Sequence, residues 1–297
     1  MTQQIPTSDD ALANEIQTDG VHVIAPDIAY QRLAIANVVY VGVHGAPDGE
    51  WVLVDAGVPG TTGMILDSVE HRFGTKARPA AVVLTHGHFD HVGALEALAA
   101  QWDVPILAHE LERPYLDGSA SYPRPDPEAG GGLMSTLSRF YPRGPIDVSE
   151  WLEPLPADGS IPGMPGWRWI HAPGHTPGQV ALWREDDRTL LAGDAFITTA
   201  QESAYAVATQ APELHGPPKY FTQDWVTARA TVERLAALEP ELVVTGHGRA
   251  MQGPAMREAL HALARDFDRV AVPEKGMRVE EPARVEDGSA YPPAREG

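Results

Sequence analysis

The chain has 297 residues, 43% hydrophobic and 21% charged, the balance of a globular protein with room for one large domain or two small ones and a well-buried core. Its 22 Lys plus Arg against 41 Asp plus Glu give a net charge of −19 with no basic run, which sets aside nucleic-acid backbones and anionic membranes as partners. Cysteine is absent, so disulfides, thiolate metal sites and a cysteine nucleophile are excluded, and no apolar run approaches the about 18 residues that span a bilayer.

Residues 1–20 are polar, lack the charged-then-apolar layout of a signal peptide and are expected to form an arm or a loosely docked strand, with the cytoplasm as the default location. Residues 21–24 and 34–43 are expected as strands. A turn at Ala46-Pro47-Asp48-Gly49 leads to a partner strand at 51–54, which ends at Asp55-Ala56-Gly57. Ile65, Val69 and Phe73, spaced by four and stopped by Gly74, predict a helix over 61–73. The apolar run 81–84 predicts a buried strand, 92–102 a helix and 104–108 another strand. From 113 to 166 proline and glycine dominate, an irregular insertion of the kind that forms binding loops or lids, with a short helix at 133–141.

Order resumes with strands at 167–171, 179–183 and 189–192. A second irregular stretch, 196–221, precedes a helix at 224–238 and a strand at 242–244. Pro254, a favoured residue at a first helical position, opens a helix carrying Met256, Leu260, Leu263 and Phe267 on one stripe. Residues 21–271 are thus expected to be one α/β domain, with 272–297 a proline- and charge-rich tail on its surface.

Four of these strands end alike, in a glycine-bearing loop that carries histidine or aspartate. After 81–84 comes Thr85-His86-Gly87-His88-Phe89-Asp90-His91, and after 167–171 comes Pro173-Gly174-His175-Thr176-Pro177-Gly178. After 189–192 comes Gly193-Asp194, and after 242–244 comes Thr245-Gly246-His247-Gly248. Loops at one end of the strands of a sheet gather in space, and imidazole nitrogens with carboxylate oxygens suit a borderline divalent cation such as zinc. No nucleophile-elbow motif accompanies them.

His-x-His-x-Asp-His, the distant histidine, Gly-Asp and Gly-His, with Asp55 in Val-Asp-Ala-Gly ahead of them, resemble the metallo-β-lactamase superfamily over roughly residues 20–267. The resemblance implies a four-layer αββα sandwich of two mixed sheets with helices outside. It implies a first metal on His86, His88 and His175, a second on Asp90, His91 and His247, and Asp194 bridging both. The ions are two divalent metals, zinc foremost, with iron or manganese as alternatives. Histidine rather than glutamate at 88 favours a zinc-type hydrolytic site over the di-iron flavoprotein branch. Two such ions about 3.5–4 Å apart lower the pKa of a shared water from about 15.7 towards 7, and the bridging hydroxide is the expected attacker, with Asp90 and Asp194 orienting it.

Asp55 and His171 are expected to orient the ligands from behind, whereas His22, His44, His71, His109 and His261 read as ordinary core or surface histidines. Tyr205, His215, Lys219, Tyr220 and Phe221, in the stretch after Asp194, are the candidates for a substrate-pocket wall. Tyr122, Phe140, Tyr141 and Trp151 either line a pocket or anchor the insertion, with anchoring favoured.

The expectation is therefore a dinuclear zinc hydrolase of a small ester-like substrate: lactone, thioester, β-lactam or phosphoester. The tyrosine that lactonases often place shortly after the bridging aspartate is missing, since Ala195-Phe196-Ile197 follow Asp194. No convincing basic set for glutathione and no nuclease motif is present. The alternatives are a mononuclear iron, persulfide-dioxygenase-type oxidoreductase and a non-catalytic binding protein of the same fold. A homodimer with the insertion near its interface is compatible with the sequence.

Overall fold

Neighbouring residues in the apolar runs face two different interiors, and that alternation builds the layers. The computed structural model of the protein describes residues 5–203, 205 and 212–294. A short pair joins β1 (Ile5–Pro6) to β13 (Glu213–Leu214). An eight-stranded sheet runs in order through β2 (Ile16–Thr18), β3 (Val21–Ala25), β4 (Ile28–Leu33), β5 (Ala36–Val41), β6 (Val52–Val54), β7 (Ala81–Val83), β8 (Ile106–Ala108) and β9 (Leu152–Pro154). It is antiparallel as far as β6 and parallel from β6 to β9. A five-stranded sheet orders β10 (Trp167–His171), β11 (Val180–Arg184), β12 (Thr189–Gly193), β14 (Leu242–Thr245) and β15 (Met251–Gln252), with only β12 and β14 parallel.

Val52, Val54, Ala81 and Val83 of the first sheet meet Val180, Leu182, Leu191 and Val244 of the second in the central core. The residues between them in sequence point outward. Leu53 and Val82 pack with Ile65, Val69 and Phe73 of α1 (Thr62–Phe73) and Leu95 and Leu98 of α2 (Leu95–Trp102). Trp183, Leu190 and Val243 pack against Val232, Leu235, Met256, Leu260 and Leu263, carried by helices Trp225–Ala236 and Gly253–Arg265. The result is the expected αββα sandwich.

Local differences from the sequence expectation have physical causes. Strand β4 is not among the expected strands, because Gln31 and Arg32 interrupt its apolar run, although Gln31 is buried and accepts a hydrogen bond from the Tyr40 hydroxyl. The helix expected from 92 starts only at Leu95, because His88 to Val92 fold into turns closed by the His88 carbonyl, which accepts from the N–H groups of His91 and Val92. Residues 5–18 of the expected arm are docked through β1 and β2. The insertion holds β9, the helical turns Arg113–Leu116 and Leu133–Leu137, and the 3-10 turn Ser138–Phe140 that extends the second of them. The tail folds back on it: the Tyr115 hydroxyl donates to the Ala290 carbonyl and the Tyr291 hydroxyl to that of Leu111. Among the described residues, no helix is long and apolar enough to cross a membrane.

Candidate metal centre

Strands β6 and β7 run parallel, and β10, β12 and β14 share one direction in the second sheet, so their C-terminal ends converge on one rim of the sandwich. That rim receives Asp55 after β6, His86 to His91 after β7, His175 in the β10–β11 connection, Asp194 after β12 and His247 after β14. The rims are joined by Asn37, whose side-chain amide donates to the carbonyls of Thr245 (2.9 Å) and Gly248 (2.8 Å), and by Val180 N–H to the Thr85 carbonyl (2.9 Å).

All seven expected ligands are brought together and buried. They fall into the groups His86/His88/His175, Asp90/His91/His247 and His86/His91/Asp194, each with donor atoms within 4.8 Å of one another. In the first, His88 Nδ1 lies 3.1 Å from His86 Nε2 and 3.0 Å from His175 Nε2. Asp194 Oδ2 lies 3.0 Å from His247 Nε2, 3.5 Å from His175 Nε2 and 3.7 Å from His91 Nε2, a place between the two triplets. His91 Nε2 and Asp194 Oδ1 are buried with no hydrogen-bond partner. Orphaned buried polar atoms are costly, and nitrogen and carboxylate donors converging at this spacing match a divalent cation.

The far nitrogens are held from behind. Asp55, at φ 61°, accepts from Thr85 N–H (2.7 Å) and its hydroxyl (2.8 Å), and its Oδ2 lies 2.9 Å from His91 Nδ1. His247 Nδ1 donates to the Ile35 carbonyl (2.6 Å), and His175 Nδ1 lies 3.1 Å from the Thr222 hydroxyl. Such contacts fix ring orientation and tautomer. His171 acts one step further away: its Nε2 donates to the Pro177 carbonyl (2.8 Å) in the loop of His175, and its ring stacks on His109 at 4.3 Å.

The two triplets differ electrostatically. Burial keeps the rings of His86 and His88 neutral, with pKa well below the ordinary value, and lowers His175 to about 3. Burial opposes a charge on His91 as well, but Asp194, Asp55 and Asp90 outweigh it and hold its pKa well above the ordinary value. His247 is raised in the same way by Asp194 and Asp90, and Asp194 stays ionised because His247 and His91 offset its burial. Asp90 is raised by burial.

The expected pocket wall divides. Phe221 stacks on His88 with ring centroids 4.6 Å apart, and Tyr220 beside it is buried, its phenol held protonated by burial and by the charge of Asp90. Phe89 and Tyr141, 5.3 Å apart, extend this aromatic patch. His215 pairs its backbone with Ile197 and turns its ring to Glu213 at 3.4 Å. Lys219 is buried, its N–H bonded to Glu202, and Tyr205 is 79% exposed. Tyr122 is not merely an anchor, because its ring lies 4.2 Å from that of His88. Glu112 is buried beneath these loops, and nothing in Glu110-Leu111-Glu112 distinguishes it in the sequence.

The sequence profile of the Metallo-beta-lactamase superfamily matches residues 32–247, a span that contains every ligand candidate. "Probable metallo-hydrolase YflN" of Bacillus subtilis is 46% identical over 230 residues, covering 77% of this chain and 87% of that protein. "Probable metallo-hydrolase YybB" of the same organism is 29% identical over 170 residues, covering 57% and 64%. Among solved structures, a beta-lactamase domain protein from Burkholderia ambifaria superposes with a TM-score of 0.59 at 17% identity, covering 87% of this chain and 80% of its own. A metallo-beta-lactamase family protein from Thermus thermophilus gives 0.54 at 20%, covering 83% and 81%. At these identities the structures show a shared fold.

Proposed function

The chain belongs to the metallo-β-lactamase superfamily, and from that membership we propose that it hydrolyses a small ester-like substrate, a lactone, thioester, β-lactam or phosphoester, with two divalent metal ions, zinc foremost. The observation that carries this reading is the pair of buried triplets, His86/His88/His175 and Asp90/His91/His247, with Asp194 between them and two orphaned atoms facing the gap. Divalent ions bound there would polarise a water and a substrate oxygen and bring the pKa of that water towards 7.

The chain's own groups do the rest. Asp194 and Asp90 place negative charge beside the five imidazoles, and Asp55 and the Ile35 carbonyl hold His91 and His247 in the orientation that turns Nε2 to the centre. The Phe221, Phe89 and Tyr141 rings give an apolar group of the substrate a surface beside His88. The test is metal analysis of the purified protein, then zinc-loaded protein assayed on lactones, thioesters, β-lactams and phosphoesters. Turnover with about two metals per chain is expected. One iron per chain with oxygen consumption would establish the dioxygenase reading instead, and bound metal with no turnover the binding-protein one.

The electrostatic difference between the triplets gives a further expectation. A histidine must lose its proton before it ligates. His91, with its pKa held well above the ordinary value, is protonated at pH 7 in the metal-free protein, and His247 is shifted in the same direction, whereas His86, His88 and His175 are already neutral. Filling the second triplet at pH 7 should therefore release more protons than filling the first. Affinity for the second ion, and activity with it, should fall as pH drops. Calorimetric zinc titrations in two buffers of different ionisation enthalpy read this directly; equal heats in both buffers for both binding steps would contradict it.

A further inference from the structure

Glu112 closes the short 3-10 turn Glu110–Glu112 after β8, and its side chain has no exposed surface. Burying a carboxylate is costly unless donors surround it. Oε2 accepts from Gly87 N–H (3.0 Å) and from the Tyr122 hydroxyl; Oε1 accepts from the Thr176 hydroxyl (2.7 Å) and Gly178 N–H (2.8 Å). These four donors belong to the groups around the first triplet. Gly87 lies between His86 and His88, Tyr122 packs on the His88 ring, and Thr176 and Gly178 follow His175 in the same loop. Gly178 approaches so closely that a Cβ there would lie 2.7 Å from Glu112 Cγ. Tyr115 stacks on Tyr122 at 3.6 Å and is tied to Ala290, so the C-terminal segment backs the same assembly. None of Glu112's hydrogen bonds goes to the loop of His247 or to Asp55, which support the second triplet.

We infer that Glu112 is a positioning residue for one metal position alone: it clamps the loop of His86 and His88 to the loop of His175 and so sets the spacing of the first triplet. The inference rests on the metal-centre reading. A neutral amide cannot replace the carboxylate. Each oxygen faces a backbone N–H that only donates, so either orientation of the amide sets its own NH2 against one of them.

Two backgrounds separate the triplets: Asp90→Ala leaves only the first intact, and His88→Ala only the second. Zinc alone is titrated in competition with a chromophoric chelator, with circular dichroism as the folding control. In the Asp90→Ala background, Glu112→Gln is expected to weaken zinc binding about 10–100-fold, the range for outer hydrogen-bond partners of ligands. In the His88→Ala background it should change affinity less than about two-fold. Thr176→Val, which removes one donor and keeps both backbone contacts of Glu112, and Tyr122→Phe, which removes one donor together with the hydroxyl's own bond from Gly87 N–H (2.9 Å), should give smaller losses with the same selectivity, and they carry the test if Glu112→Gln does not fold. Equal losses in both backgrounds, or none in the first, overturn the inference. Absence of zinc binding by the wild-type chain overturns instead the reading beneath it.

Discussion

Asp194→Ala is expected to lower hydrolysis at least a thousand-fold and to reduce metal content at both positions, not one. The residue sits between the triplets, 3.0 Å from His247, 3.5 Å from His175 and 3.7 Å from His91, and Oδ1 has no partner in the protein. It is the buried carboxylate that touches histidines of both groups, so its loss removes a negative charge shared by two cationic positions. A thousand-fold corresponds to about 4 kcal/mol of barrier, a modest demand for a group that serves both ions in the proposed two-metal centre. Without metal the same substitution leaves a protonated His91 with less counter-charge, and breaking a buried pair costs about 3–5 kcal/mol. Asp194→Asn, which keeps the shape, should therefore be run beside it, with circular dichroism to establish folding. Folded Asp194→Ala with two metals per chain would refute a shared role for this carboxylate.

The layers of the fold were legible because period-2 burial leaves runs such as Ala81-Val82-Val83 apolar on both faces, and only strands covered on both sides tolerate that. The candidate ligands were legible because they cluster in loops that follow such runs, and all but Asp90 and His91 sit beside a glycine. What stayed hidden depends on contacts distant in sequence. Glu112 bonds Gly87 and Gly178, 25 and 66 residues away, and the signal lies in backbone N–H groups that no residue type reveals. Tyr122 is one aromatic among several in a proline-rich insertion until its ring is seen against His88. Among the five pocket candidates, Phe221 was separable from Tyr205 and His215 only by the path of the chain: Thr222, next to it, bonds to His175, and this draws Phe221 onto His88.

Gly246→Ala should lower activity at least about a hundred-fold while removing no candidate ligand. The residue precedes His247, and its N–H donates to the Gly193 carbonyl (2.8 Å), which locks the ends of β12 and β14 together beside the site. Its own carbonyl accepts from Asn37 N–H of the other sheet (2.7 Å), so the backbone is fixed from both sides and cannot retreat. A methyl group at this position would overlap Asp194 Oδ1 and lie 2.7 Å from His91 Cε1. The obstacle is contact alone, since Gly246 is not among the positive-φ glycines. Asp194 cannot swing aside without giving up His247, nor His91 without giving up Asp55. One of the two must move: His91 is a candidate ligand of the second position and Asp194 of both, so the second position is disturbed whichever gives way. Displacing a group by about 1 Å at a reacting centre costs on the order of a hundred-fold in rate, and here a metal position is lost with it. The histidines of the first triplet do not touch the new methyl, so zinc should still bind there. About one metal per chain, a folded protein and a loss of at least a hundred-fold in turnover are the expected results. Two metals at full activity would mean that the rim yields where its hydrogen bonds say it is rigid.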